Sequence, residues 1–375
     1  MLAKDLDYSG VFAVTRSWVT GEQAQGVQGI VSGKWIVSGN QVKLQGEVSD
    51  FPARRPILVQ SYRGAMSDWR SLVHQFADDI VLQFTGELGS AQTRFAFVGQ
   101  IGRDKELYVM DYDGANLKAL TKDRSLALSP AWSPEGSLLL FTSYRGGRGP
   151  QVFVIGSNGG RAVPDLRAQR AQHQRVVLAR RTVDRVHAEP GRQLRDLHAE
   201  RARRLAHRVT NHRSIDTSPT WSPTGQEIAF TSDRSGTPEV YVMDAEGGNL
   251  RRLTYGVSYT DSPAWSPKGD RIAFVARTSA GFDIYVCRAD GKDTRLVVSG
   301  GSNENPHWSP DGRHLLFSSD RGGSRALFVT DLDDRPARKI DTNGLPAFTP
   351  AWSPRLPNNR SAMNLESDHS EGGKR

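Results

Sequence analysis

The stretch SPTWSPTGQEIAFTSDRSGTPEVYVMDAEGGNLRRLT, residues 218–254, decides the fold, because its opening words return four more times. They recur as Ser129-Pro-Ala-Trp132-Ser-Pro, Ser262-Pro-Ala-Trp265-Ser-Pro, Asn305-Pro-His-Trp308-Ser-Pro and Thr349-Pro-Ala-Trp352-Ser-Pro. The tryptophans at 132, 221, 265, 308 and 352 are spaced by 89, 44, 43 and 44 residues. A period in the low forties with strand-like content is the signature of propeller blades, and the doubled first interval leaves room for one blade more.

Within one copy, Pro219, Pro223 and Gly225 are expected to punctuate a turn. Ile228-Ala-Phe230 and Val240-Tyr-Val-Met243 read as short buried strands around an Asp233-Arg-Ser-Gly236 hairpin, with a further strand at Leu250–Leu253. Strands this short cannot bury their faces alone; stacked side by side as blades they can. Residues 94–121 match the repeat without its opening segment, and residues 349–354 supply only that segment. Pairing the two ends would build one composite blade and hide the seam. The expectation is an α+β N-terminal domain over residues 1–90, then an all-β six-bladed β-propeller of WD40-like (PD40) repeats over 91–354, then a disordered tail over 355–375.

Residues 161–208 break the rhythm. They hold no Trp, one Gly, 13 Arg, 5 acidic residues and 4 of the 9 His. Their charge of +8 equals that of the whole chain, so the remainder is balanced. A nucleic-acid partner, which a sequence pI of about 9.7 would suggest, therefore rests on this segment alone. Three readings compete for it: a basic helical insertion, a disordered basic linker, or a blade translated out of frame. Permitted codons favour the last. A one-base shift can turn Arg175-Val176-Val177 into Ala-Trp-Ser and the following text into Ser-Pro-Asp-Gly-Arg-Trp-Ile-Ala-Tyr-Thr. The recovered Trp then falls where the period places it.

In the N-terminal ninety residues, Lys34–Val37 and Gln41–Val48 read as strands joined at Ser38-Gly39-Asn40, and Pro56–Ser61 as a third. Ser67 is expected to cap a helix with an apolar stripe of Trp69, Leu72, Val73, Phe76, Ala77, Ile80, Val81 and Phe84, stopped at Gly86.

Further words in this region complete a resemblance: Asp5-Leu-Asp-Tyr-Ser9-Gly10-Val-Phe12, the Trp69–Ile80 helix with His74 and Asp78, Thr85-Gly86-Glu87 and Thr93-Arg94-Phe-Ala-Phe-Val98. Together with the repeats they resemble the TolB family, periplasmic propeller proteins of the Tol–Pal cell-envelope system, over residues 1–354 apart from 161–208. The resemblance implies a non-catalytic, monomeric adaptor in the periplasm. Such an adaptor binds the lipoprotein Pal on one propeller face and TolA through its N-terminus, supporting outer-membrane integrity and constriction at division. It implies no cofactor, no nucleic acid and no direct membrane insertion. Family members carry a secretory signal and a TolA-binding segment ahead of the first domain. Here Met1-Leu-Ala-Lys-Asp5 opens without an apolar h-region. The alternative is a propeller module that gates or docks to a separately encoded serine peptidase.

No Gly-x-Ser-x-Gly elbow is present, and the histidines lack metal-ligand spacing. Cys287 occupies the strand position held by Met110 and Met243 in sister repeats and is expected to be buried. Asp-Gly at 113–114, 290–291 and 311–312 suits turns better than calcium. Binding residues are sought where equivalent loops of successive blades emerge together, just before each Ser-Pro-x-Trp. These are His212, Arg213, Asp216, Thr217, Tyr259, Asp261, Asn303 and Glu304, which the resemblance assigns to the Pal face.

Overall fold

A computed structural model describes residues 1–15, 26–147, 149–165, 209–210, 212–332 and 335–356. It divides into two compact units, Met1–Thr93 and Arg94–Arg375.

The first unit holds α1 (Leu2–Tyr8), β1 (Gly29–Ser38), β2 (Gln41–Asp50), β3 (Pro56–Ala65) and α2 (Trp69–Thr85), the strands forming an antiparallel sheet in the order β1-β2-β3. Period-two burial along β2 puts Val42, Leu44 and Val48 inside, against the helix stripe of Leu72, Val73, Phe76, Ala77, Ile80 and Val81. Gly46 makes the close approach possible: a Cβ there would sit 2.4 Å from the Phe76 ring. Ser67 does not cap the helix. It lies in a 3-10 turn, Met66–Asp68, and its hydroxyl donates to Asp68 instead. The stripe also ends sooner than its spacing suggests, since Trp69 and Phe84 are exposed. Gly86 stops α2 in the left-handed conformation, its N–H returning to Leu82. Buried polar side chains are hydrogen-bonded at three places: His74 meets Asp5 of α1 at 2.9 Å, the Tyr62 hydroxyl donates to Asp79, and Asp78 accepts the N–H groups of Ala91 and Gln92.

The second unit is five four-stranded antiparallel sheets among the described residues. One holds β4 (Arg94–Ile101), β5 (Asp104–Asp111) and β6 (Lys118–Ala119), completed by β23 (Ala347–Trp352) from the far end of the chain. Ala347 pairs with Gly99 and Trp352 with Phe95, so the two ends do make one sheet. The others follow chain order. β7 (Ala127–Trp132), β8 (Leu138–Ser143), β9 (Gln151–Gly156) and β10 (Val163–Pro164) form the second sheet, and β11 (Asp216–Trp221), β12 (Glu227–Ser232), β13 (Glu239–Asp244) and β14 (Arg251–Arg252) the third. The fourth is β15 (Thr260–Trp265), β16 (Arg271–Thr278), β17 (Gly281–Arg288) and β18 (Arg295–Val298). The fifth is β19 (Asn303–Trp308), β20 (His314–Ser319), β21 (Ala326–Asp331) and β22 (Arg338–Lys339). The blade expected within 161–208 lies almost wholly outside the described residues.

The repeated words have a specific backbone meaning. Their first residue (Ser129, Ser218, Ser262, Asn305 or Thr349) has a positive φ in every copy, and the strand register shifts there each time. Pro219 and its counterparts therefore sit at a β-bulge inside the first strand, where proline's missing N–H leaves no ladder bond unmade; they do not make a turn. The turn lies after the Trp. Ser222 N–H and Oγ meet the carbonyl and N–H of Glu227, and Gly225, with positive φ, returns its N–H to Ser222. Ser133 and Ser309 close their turns in the same way. In the last of these Asp311 is buried. Burial opposes its ionisation, but the His314 imidazole 3.7 Å away, the Ser309 hydroxyl and the Arg313 N–H together hold its carboxyl well below the usual range.

Sheets pack by a smooth face against an aromatic face. Ala273, Val275, Ile284 and Val286 of the fourth sheet meet Trp308, Leu315, Phe317 and Phe328 of the fifth. Ala229, Val240 and Val242 meet Trp265, Ile272 and Phe274 across the preceding seam. Trp308 Nε1 donates to Ala264 O at 2.9 Å, and Trp132 Nε1 to Ala351 O at 3.0 Å, tying their sheets to the neighbouring ones, whereas Trp265 Nε1 donates to Gly269 O of its own turn at 3.3 Å. Cys287 is buried opposite Ile272, as Met243 is opposite Ile228, and burial with the Asp290 charge pushes its thiol up to about 12.

Candidate partner-binding face

The first strands of successive sheets adjoin one another, β11 against β15, β15 against β19 and β19 against β23. The segments entering those strands are thereby gathered. Asp261 enters β15 and accepts from Thr231 (2.8 Å) and Ser218 (3.3 Å) of the neighbouring sheet. The Tyr259 ring lies 5.9 Å from Phe282, and Phe282 bridges Ser302 at the next loop. The loops around 212–217, 256–261 and 300–304 are thus linked in series.

Three of the sheets support their loop with the same device. Arg145, Arg234 and Arg321 each bond a serine two residues earlier and lie over two aromatic rings of the same sheet, Phe230 and Tyr241 in the case of Arg234. Each then reaches a polar residue at or before the first strand. Arg145 takes Asp123 at 2.6 Å, Arg234 takes Asp216 at 2.9 Å and Arg321 takes Asn303 at 2.8 Å. Burial pulls the Arg321 guanidinium below its ordinary range, with the Asp283 charge opposing.

These ties sort the eight sequence candidates. His212, Arg213 and Thr217 are exposed, while Tyr259, Asp261 and Glu304 are half-buried at the rim. Asp216 has only 5% of its side chain exposed and belongs to the Arg234 support. Asn303 is fully buried, donating to Phe282 O while accepting from Arg321, so it shapes the loop from beneath. Glu304 is paired with Arg325 at 3.0 Å and accepts from Ser302. Two apolar side chains absent from the candidate set stand out beside them: Ile215, 58% exposed, and Tyr255, 68% exposed with Arg252 against its ring. Tyr255 had a signal in the sequence. It follows Leu253-Thr254 where the sister repeat continues Leu120-Thr121 with Lys122. Solvated cations, rim carboxylates and isolated exposed apolar groups on rigid support form a surface suited to another protein. No cluster of three metal-ligating side chains occurs among the described residues, and no helix among them is long and apolar enough to cross a membrane.

Comparison with known proteins adds the following. The model of the PD40 family, the TolB beta propeller domain, matches residues 196–356. A TolB homolog of Chlorobium luteolum is 33% identical over 238 residues, covering 60% of this chain and 51% of that protein. The Tol-Pal system protein TolB of Desulfosudis oleivorans is 32% identical over 229 residues, covering 61% and 42% respectively. The chain thus spans about half the length of the curated relatives it matches. The crystal structure of TolB from Acinetobacter baumannii superposes with a TM-score of 0.79, covering 94% of this chain and 92% of that one at 22% identity, which is a likeness of fold.

Proposed function

We propose that this chain, whose propeller belongs to the TolB β-propeller family, is a non-catalytic adaptor of the Tol–Pal system. On this reading it works in the periplasm and holds the lipoprotein Pal against the loops around 212–217, 255–261 and 302–304. It communicates with TolA through the N-terminal unit, supporting outer-membrane integrity and constriction at division. The observation that carries the reading is the linked row of loops on the Arg234 and Arg321 supports, with Arg213, Ile215 and Tyr255 presented outward. Such a surface selects a partner by shape and charge.

The same reading completes the ring with a sixth blade between β8–β9 and β11–β13, encoded in the shifted frame of 161–208. Two faces support it. Leu140, Thr142 and Val152 are half-buried, although their counterparts Leu316, Ser318 and Leu327 are at most 1% exposed. Across the gap, Trp221 Nε1 is buried without an acceptor among the described residues.

The test is titration of purified Pal into the chain with its sixth blade restored. Binding is expected, and Arg213→Glu with Tyr255→Ser should weaken it at least tenfold without lowering the melting temperature. Absence of binding by the restored chain would overturn the reading.

A further inference from the structure

We infer that the partner surface received by the loops of the propeller is acidic. Those loops use their carboxylates inside the fold and leave their cations to the partner. The inference rests on the reading of this face as a docking surface and names the chemistry that docks there.

The segments entering each first strand and the hairpins joining each second and third strand emerge together, because the strands of a sheet alternate in direction. Charge in them is sorted by sign. Asp123 holds Arg145 at 2.6 Å, Asp216 holds Arg234 at 2.9 Å and Glu304 holds Arg325 at 3.0 Å. Asp261 accepts from Thr231 and Ser218, Asp233 from the Ile215 N–H and Asp320 from the Ser302 N–H. Asp104, half-buried, has no such tie among the described residues. The cations divide differently. Arg145, Arg234 and Arg325 are used in these pairs. Arg103, Lys122, Arg124, Arg213 and Arg277 are exposed, and none has a side-chain partner among the described residues. What this face offers outward is therefore mostly positive.

The free cations are spread over several sheets on fixed backbone. Arg103 lies in the β4–β5 hairpin, Arg124 in the segment entering β7, Arg213 in the segment entering β11, and Arg277 at the end of β16. The Arg124 N–H donates to the Glu106 carboxylate at 2.7 Å, and the Arg277 N–H to Tyr259 O at 3.0 Å. Lys105, beginning β5, bridges Leu126 of the next segment. Exposed apolar groups stand close by in sequence, Ile101 at 61% near Arg103 and Ile215 at 58% near Arg213. Arginine beside apolar groups on a rigid support is the composition of a protein interface. An anionic lipid surface is the poorer fit, since it would meet the rim carboxylates between the cations and be repelled by them. Charges of this kind act mainly by steering the encounter, so they set the association rate and its salt dependence.

Hydrogen exchange of the full chain with poly-L-glutamate at low salt tests the charge of the partner. Exchange should slow about threefold in the loops at 101–105, 122–126, 212–215 and 276–280. The readout is local, so attraction of the same polyanion to the basic stretch 161–208 does not enter it. The combined variant Arg103→Gln, Arg124→Gln and Arg277→Gln, all at exposed positions, should fold normally and lose this protection. Vesicles of phosphatidylglycerol should give none. No protection in these loops would overturn the inference, as would protection unchanged in the variant or matched by the vesicles. Pal checks the docking reading separately. Its association rate should fall about tenfold between about 0.01 M and about 0.15 M salt, and the combined variant should flatten that dependence. A Pal rate indifferent to salt would also overturn the acidic surface. Loop protection by poly-L-glutamate without any binding of Pal would overturn the choice of Pal and uphold the acidic surface.

Discussion

The seam between the fourth and fifth sheets and the faces of the second and third sheets are built from the same words, yet among the described residues one is fully packed and the others are not. At the seam, Trp308 is 4% exposed and bonded to Ala264 O, and Phe317 and Leu315 are fully buried against Val275 and Ile284. At the gap, Trp221 is half-buried with its Nε1 unpartnered among the described residues, and Leu140 and Val152 are only half-buried where their counterparts Leu316 and Leu327 are fully buried. The lesson is that a blade's sequence encodes half of each interface. A face becomes core only when the neighbouring half is present.

The largest effect should come from supplying that half. A chain carrying the sixth blade proposed for 161–208 should bury both of these faces. At about 1.5–3 kcal/mol for each large apolar side chain covered, the melting temperature is expected to rise by about 10 °C, with soluble yield rising too. Calorimetry of the two chains checks this, and an unchanged transition would break the comparison.

The next largest effect concerns Asp311 in the closed sheet, whose counterpart at the open side is the neutral Thr224. A carboxyl held below its unfolded value of about 4 contributes its full stabilisation above that pH and loses it as the pH falls through the folded value. Asp311→Asn should cost about 2–3 kcal/mol at pH 7, and the difference from the parent should shrink below about pH 4. Thr224→Asn should show no such pH dependence. Denaturant titrations at several pH values measure both.

Tryptophan to phenylalanine sharpens the contrast further. Trp308→Phe loses a bond across the seam and leaves the half-buried Ala264 carbonyl without that donor, for about 1–2 kcal/mol more than Trp221→Phe, which has no such bond to lose. Equal costs would mean that the tryptophans act by volume alone. The smallest effect belongs to the loop supports. Asp216→Asn copies the Asn303–Arg321 pair of the closed side and should cost about 1 kcal/mol or less, whereas Asp216→Ala, which leaves Arg234 unpaired, should cost more, about 2–3 kcal/mol.

Much of the architecture was legible beforehand because it is local and repeated. The Trp spacing, the turn chemistry of Ser222-Pro-Thr-Gly225 and the split repeat at 94–121 and 349–354 are statements about neighbours in sequence, and β23 pairs with β4 as those statements require. The candidate face was half legible. Equivalence between copies located its loops, and Arg213 and Thr217 emerge at the surface. Equivalence could not tell which polar residues point inward. Asn303 and Asp216 look like rim residues until Arg321 and Arg234, eighteen positions later, turn to claim them. Ile215 and Tyr255 were passed over because an exposed apolar side chain reads as core until its neighbours are placed.

By itself, then, the sequence determined the period, the strand order and where the chain's ends meet, since those follow from short-range patterning that is the same in every copy. Tertiary structure alone decided that Pro219 sits at a bulge and not in a turn, that Asn303 is a buried prop, and which faces lie open at Leu140 and Trp221. Those outcomes depend on what stands across a sheet interface, often forty or more residues away along the chain, and no local pattern carries that information.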